Sequence, residues 1–130
     1  MLIDSLGLGI DLGTSGVRIA VINKKQQILF TSSMKYPQGL EEWKDWIICC
    51  TNLLAEIPEG IKYRLISCAV AGTSGTVLAC KNNGEPLGKA LPYSFSFPEY
   101  SNEISKLFST DCPGSSTSGS VGRALRLISL

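Results

Sequence analysis

The feature that most constrains this chain lies in its first 33 residues. Three short apolar runs, at residues 6–11, 17–23 and 27–33, are separated only by glycine-rich or lysine-rich polar turns. Runs this short, rich in β-branched residues and joined this tightly, predict an antiparallel meander of three strands. The first ends in a carboxylate, Asp11, followed by Leu-Gly-Thr-Ser-Gly-Val and then Arg18.

After Pro37, Gln38 and Gly39 the pattern changes from period two to helical spacing. Trp43, Trp46, Ile47, Cys50, Leu53, Leu54 and Ile57 recur at three- and four-residue steps, with Glu41, Glu42, Lys44, Asp45, Asn52 and Glu56 largely between them. This predicts an amphipathic helix with its acidic residues at the favourable N-terminal end and both tryptophans in the core. Pro58, Glu59 and Gly60 stop it. Residues 64–71 are nearly continuous apolar, which predicts a central strand covered on both faces. Strands, then a helix, then a buried strand imply an α/β layer with a crossover.

Further on, residues 77–80 predict a short strand entering a hairpin-like turn at 81–84. Residues 91–98 form an aromatic loop or irregular strand, and residues 99–108 a short helix. Residues 113–120 have the composition of a linker, and residues 121–130 have helical spacing with a bare apolar end.

Composition excludes several functions. With 130 residues the chain suits one small domain, and 12 basic against 11 acidic residues leave a formal charge of +1. No electrostatic case for nucleic acid or an anionic membrane follows. The lack of histidine removes every His-based triad, general base or zinc site. The five cysteines are odd in number and lack CxxC spacing, so they read as small buried hydrophobes in a reducing cytosol. The N-terminus has no signal-peptide pattern, and no apolar run approaches the roughly 18 to 20 residues that span a bilayer. A cytoplasmic location is expected.

Two segments carry the candidate chemistry. At Asp11–Arg18 the strand-end carboxylate suits a magnesium ion, directly or through water. Gly13 and Gly16 let backbone approach an anion, Thr14 and Ser15 offer hydroxyl and N–H groups, and Arg18 supplies positive charge. The spacing is neither a Walker A loop nor a dinucleotide GxGxxG. From the residues alone, an ordinary tight hairpin with an exposed aspartate explains it equally well. The second segment, Gly72, Thr73, Ser74, Gly75 and Thr76, places small hydroxyl residues at a strand's carboxyl end, where polar ligands bind. A simple turn of small residues is the competing reading. No nucleophile system is complete, because Ser74 lacks GxSxG spacing and a histidine.

The ordered set of motifs resembles the opening of the FGGY family of carbohydrate kinases. It comprises the Asp11–Arg18 hairpin, the helix with Trp43 and Trp46, the strand to Ala71, Gly72 to Leu78, Asn83-Gly84, Pro86, Ala90 to Tyr93, and residues 115–127 leading into a helix. The nearest likeness is to the xylulokinase-like, D-ribulose kinase branch of cyanobacteria and plants. There Gly72-Thr-Ser-Gly-Thr76 replaces the Gly-Gln-Met-His-Gly of many xylulokinases, and Ser94-Phe-Ser-Phe97 stands where many members carry aspartate and arginine.

The resemblance implies an actin-like (ribonuclease-H-like) ATPase fold, of the α/β class. Residues 1–130 would be the N-terminal portion of kinase domain I, an incomplete N-terminal lobe with a mixed sheet. It implies ATP and Mg²⁺ as cofactors, with Asp11 organising the metal's water shell, Gly13, Thr14 and Ser15 meeting phosphates and Arg18 orienting them. Gly72, Thr73, Ser74, Gly75, Thr76 and Tyr93 would border a pentulose such as D-ribulose or D-xylulose. Family members are several times longer, and their catalytic base lies beyond the segment matched, so no catalytic residue is assigned. The 130 residues alone are expected to be inactive, with self-association through the incomplete lobe. The alternative is a non-catalytic actin-like remnant that binds a phosphate ligand or a partner protein.

Overall fold

In the computed structural model, residues 5–129 are described. Readings that fall on Met1 to Asp4 and on Leu130 lie outside them. The chain divides into two compact units, Met1–Thr73 and Ser74–Leu130.

The first unit is a sheet with one helix on it. Strands β1 (Leu6–Leu12), β2 (Gly16–Ile22) and β3 (Ile28–Lys35) form the expected antiparallel meander. The chain then crosses by helix α1 (Trp43–Glu56) and the one-turn helix α2 (Glu59–Lys62) into β4 (Leu65–Gly72). β4 pairs parallel to β1, so the sheet is mixed and ordered β3-β2-β1-β4. Strand alternation sends Leu6, Leu8, Val17, Ile19 and Val21 to one face, where they meet Cys49, Leu53 and Ile57 in the core.

Three expectations change here. The buried stripe of α1 is Asp45, Cys49 and Leu53, whereas Ile47 and Ile48 are exposed and both tryptophans are only partly buried. Leu53 and Ile57 of the expected face are buried and Trp46, Cys50 and Leu54 pack against the core, so the stripe is the expected one extended toward Asp45 and Cys49 at the expense of Ile47. Asp45 tolerates burial because its carboxylate accepts the Gln38 backbone N–H at 2.6 Å, tying the helix to the preceding turn. Trp46 packs against the core while only partly buried, and donates its indole N–H to the Leu40 carbonyl at 2.9 Å.

β4 is the second correction. It has the composition of an interior strand, yet among the described residues it is an edge, with Ile66 73 % and Val70 63 % exposed. No other described strand pairs with its outer side. Thirdly, of the five cysteines only Cys49 is buried; Cys68 and Cys80 are exposed. Cys68 follows β4 to the edge, and Cys80 lies in irregular chain.

The second unit is built of turns and short helices. Residues 77–80 do not extend into a strand; single bridges join Val77 to Leu91 and Cys80 to Pro86, around a turn closed at Gly84. A 3-10 turn (Pro98–Tyr100) leads into α3 (Ser101–Leu107), another (Pro113–Ser115) follows, and α4 (Ser120–Ile128) ends the unit. Ala90, Phe97 and Ile104 are its buried apolar residues. Residues 113–120 are no linker: Thr117 accepts the Phe97 N–H, and Gly114 lies so close to the Phe108 ring that a Cβ would sit 3.0 Å from it. Small polar residues serve close packing here, which composition alone does not distinguish from flexibility.

Candidate functional site

The hairpin between β1 and β2 is built by register. Asp11 stands opposite Arg18, and Arg18 opposite Ser33; one step along, Gly9, Ala20 and Thr31 align. Alternation puts this set on the sheet face away from α1. Gly9 and Asp11 also pair with Ala69 and Ala71 of β4. Residues this small leave a cavity of about 930 Å³ on that face, lined also by Asp11, Arg18, Thr31 and Ser33.

The turn itself is fixed by backbone. Gly13 N–H donates to the Gly16 carbonyl at 2.9 Å, and Tyr36 N–H donates to the Ser15 carbonyl at 3.1 Å. Gly16 is obligatory, because a Cβ there would fall 2.2 Å from the Met34 carbonyl oxygen on β3. Thr14 and Ser15 are left exposed at the tip. Among the described residues their own N–H groups have no backbone partner.

Electrostatically the site is open. Arg18 Nη1 lies 3.5 Å from Asp11 Oδ2, longer than a tight charge-assisted bond, and the side chains are 73 % and 49 % exposed. A pair of this kind contributes at most about 1 kcal/mol. Both groups are therefore free to turn toward a ligand. Below the turn, Tyr36 is buried with its hydroxyl unpaired. Burial, then the neighbouring Cys50, Cys49 and Asp11, push its phenol up to about 12.

Asp11, Arg18 and the exposed Thr14 and Ser15 are the groups of this hairpin that could meet phosphates or a metal. Magnesium keeps several waters and takes one or two carboxylates together with phosphate oxygens. Asp11 supplies one carboxylate. No group of three His, Cys, Asp or Glu side chains gathers to cage a metal among the described residues. A metal held mainly by water and phosphate is the kind this donor set could accept.

The second segment divides between the units. Gly72 ends β4 and Thr73 ends the first unit, while Ser74, Gly75, Thr76 and Tyr93 belong to the second. Within that unit the structure brings Thr76 and Tyr93 together: Tyr93 N–H donates to Thr76 Oγ1 at 3.3 Å. Gly75 takes φ +77°, a left-handed conformation that favours glycine. Tyr93 is 44 % exposed.

Sequence reasoning missed Arg123. It is 4 % exposed on α4, and its Nη1 donates to the carbonyls of Tyr93 at 3.0 Å and Ser118 at 2.7 Å. The one available signal was an arginine directly after a glycine at the start of a helix, which reads more readily as solvated charge.

The sheet order, the meander and the α1 crossover define a mixed α/β fold of the actin-like, ribonuclease-H-like kind, in the form of a partial N-terminal lobe. No family model matches the sequence. Solved sugar kinases share the fold. The xylulose kinase from Rhodospirillum rubrum superposes with a TM-score of 0.70 at 17 % identity, covering 82 % of this chain and 24 % of that one. A ligand-bound xylulose kinase from Lactobacillus acidophilus gives 0.68 at 12 % identity, covering 79 % and 23 %. Plasmodium falciparum glycerol kinase with ADP gives 0.64 at 17 % identity, covering 82 % and 24 %. The chain thus spans about a quarter of the length of the kinases it matches. No helix among the described residues is long and apolar enough to cross a membrane.

Proposed function

We propose that this chain is the nucleotide-phosphate side of an FGGY-type sugar kinase, the N-terminal portion of kinase domain I. The reaction it serves is in-line transfer of the γ-phosphoryl group of ATP to a hydroxyl of a pentulose such as D-ribulose or D-xylulose. The observation that carries this reading is the hairpin at residues 11–18. It puts a carboxylate, a guanidinium and an exposed tip bearing two hydroxyls on one glycine-framed turn, in a fold shared with xylulose and glycerol kinases.

Bound Mg²⁺·ATP would supply the transferable phosphoryl group and most of the charge neutralisation. Asp11 would hold the metal's water, Thr14 and Ser15 would donate to phosphate oxygens, and Arg18 would leave its loose contact with Asp11 to meet the phosphate. Gly72, Thr73, Ser74, Gly75, Thr76 and Tyr93 would border the sugar. No described residue is assigned the role of general base. Half a cleft neither excludes water nor aligns an acceptor hydroxyl, so these residues alone are inactive. A cytoplasmic location suits this chemistry.

A second reading is a non-catalytic actin-like remnant that binds a phosphate ligand or a partner protein, for which the exposed hairpin tip at Thr14 and Ser15 would serve equally. The two are separated by an assay of ATP consumption with D-ribulose and D-xylulose, alongside the size of the native product in cell extract. A product several times longer than 130 residues that turns over a pentulose, and loses that activity with Asp11→Asn, supports the kinase. A stable product of this length that binds phosphate without turnover supports the remnant. Clear turnover by the 130 residues alone overturns the half-site account.

A further inference from the structure

We infer that Arg123 is the positioning residue of the turn at Gly75–Thr76 and of Tyr93, acting as an internal latch of the second unit. The inference rests on the sugar-side reading of those residues for its functional meaning, but its geometry stands apart from it.

A guanidinium that is 4 % exposed is costly to bury, and it is usually matched by a carboxylate. Arg123 makes no ion pair among the described residues. Its Nη1 is instead spent on two carbonyls, those of Tyr93 and Ser118, which lie 25 residues apart in sequence. Its Nε is buried and finds no partner. A side chain that keeps an unsatisfied donor out of water holds its place through the bonds it does make.

Those bonds meet at the turn. A Cβ on Gly75 would lie 3.1 Å from Arg123 Nη2 and 3.4 Å from Tyr93 Cβ, so the turn closes directly over the guanidinium. Tyr93 is bonded at both ends of its peptide unit, its N–H to Thr76 Oγ1 and its carbonyl to Arg123. The residue is brought there by close packing. A Cβ on Gly122 would meet the Thr117 carbonyl oxygen at 2.6 Å, and one on Gly119 the Ser116 carbonyl oxygen at 2.9 Å. The segment 116–119 thus lies tight against α4 and offers Ser118 to the same guanidinium.

Lysine replaces this badly. Its single ammonium on a flexible stem lacks the planar spread that sets one nitrogen between two carbonyls while another lies against the turn. Arg123 acts through Gly75, Thr76 and Tyr93 and is placed against no ligand itself.

The test is amide-resolved NMR on the 130-residue chain with Arg123→Ala, which vacates the space an ethylguanidinium ion fills, and Arg123→Lys, each with and without added ethylguanidinium. In Arg123→Ala the Gly75, Thr76 and Tyr93 amides shift and the Tyr93 amide exchanges about tenfold faster or more, as expected for losing charged hydrogen bonds. Leu8 and Val21 amides in the sheet stay unchanged. Ethylguanidinium restores the turn signals, and Arg123→Lys lies between. Unchanged turn amides overturn the latch, and so does a uniform loss of protection across the second unit in both variants without rescue. A parallel titration with D-ribulose separates the two claims. A turn that depends on Arg123 but ignores the sugar keeps the latch and leaves these residues without a D-ribulose-binding role in the isolated chain.

Discussion

The two glycine-and-hydroxyl turns, at residues 13–16 and 73–76, look alike in sequence and are held in different ways. The first is closed by its own backbone and by the adjoining strand: Gly13 to Gly16, and Ser15 to Tyr36. The second borrows its shape from residues far along the chain, Tyr93 and Arg123. One turn is therefore a property of a hairpin, whereas the other is a property of a folded unit. A phosphate site suits the first, because exposed N–H and hydroxyl groups on a stiff hairpin need little ordering when a ligand arrives.

Substitutions at glycine separate the two turns most sharply. Gly16→Val should destabilise the first unit by about 3 kcal/mol, because its Cβ collides with β3 backbone that has no room to move. Gly75→Ala, whose added carbon at φ +77° would meet the end of the Arg123 side chain at 3.1 Å rather than backbone, should cost about 1 kcal/mol. Urea unfolding of both variants checks this. Equal effects would mean that strand spacing does not set the hairpin.

The core beneath the first turn comes next. Leu53→Ala should cost about 2 to 4 kcal/mol, since Leu53 is fully buried against the sheet. Ile47→Ala, on the exposed face of the same helix, should cost well under about 1 kcal/mol. The reverse order in thermal melts would put Ile47 rather than Leu53 against the sheet.

Cysteine labelling compares buried with exposed sites. Burial, followed by the Asp45 and Cys50 charges, pushes the Cys49 thiol up, which lowers its reactive thiolate fraction. Cys68 and Cys80 are exposed and should be alkylated first, with Cys49 last; mass mapping of partly labelled chain reads the order.

The smallest effect concerns Tyr36. Its phenol is raised from 10.0 to about 12 in the folded chain, so the fold favours the protonated form. That contribution is complete below the unfolded value and is lost as pH rises from 10.0 through about 12. Tyr36→Phe should leave neutral-pH stability within about 1 kcal/mol, because the hydroxyl has no partner, and should flatten the alkaline loss. Urea midpoints across that range check the slope difference.

Much of the first unit was legible because its determinants are local. Alternation gave three strands, short connections gave the meander, and proline and glycine at 37–39 and 58–60 bracketed α1. The hairpin at residues 11–18 was expected, whereas the cross-strand pairing of Asp11 with Arg18 is seen only in the register. What stayed hidden depends on partners distant in sequence. Asp45 is buried through a bond to Gln38 that periodicity does not encode. The apolar run in β4 reports the environment of an interior strand, yet its outer side is bare among the described residues. Arg123 is invisible to pattern reading, because its two acceptors are backbone carbonyls that any residue could offer.

The central claim is that the Asp11–Arg18 hairpin receives the phosphates of a magnesium nucleotide. Its most direct test is a titration of ¹⁵N-labelled chain with Mg²⁺·ATP, followed at the Thr14, Ser15 and Gly16 amides. The account predicts saturable shifts at these three positions that Arg18→Ala and Asp11→Asn weaken. Shifts absent from the hairpin, or unchanged in both variants, would contradict it.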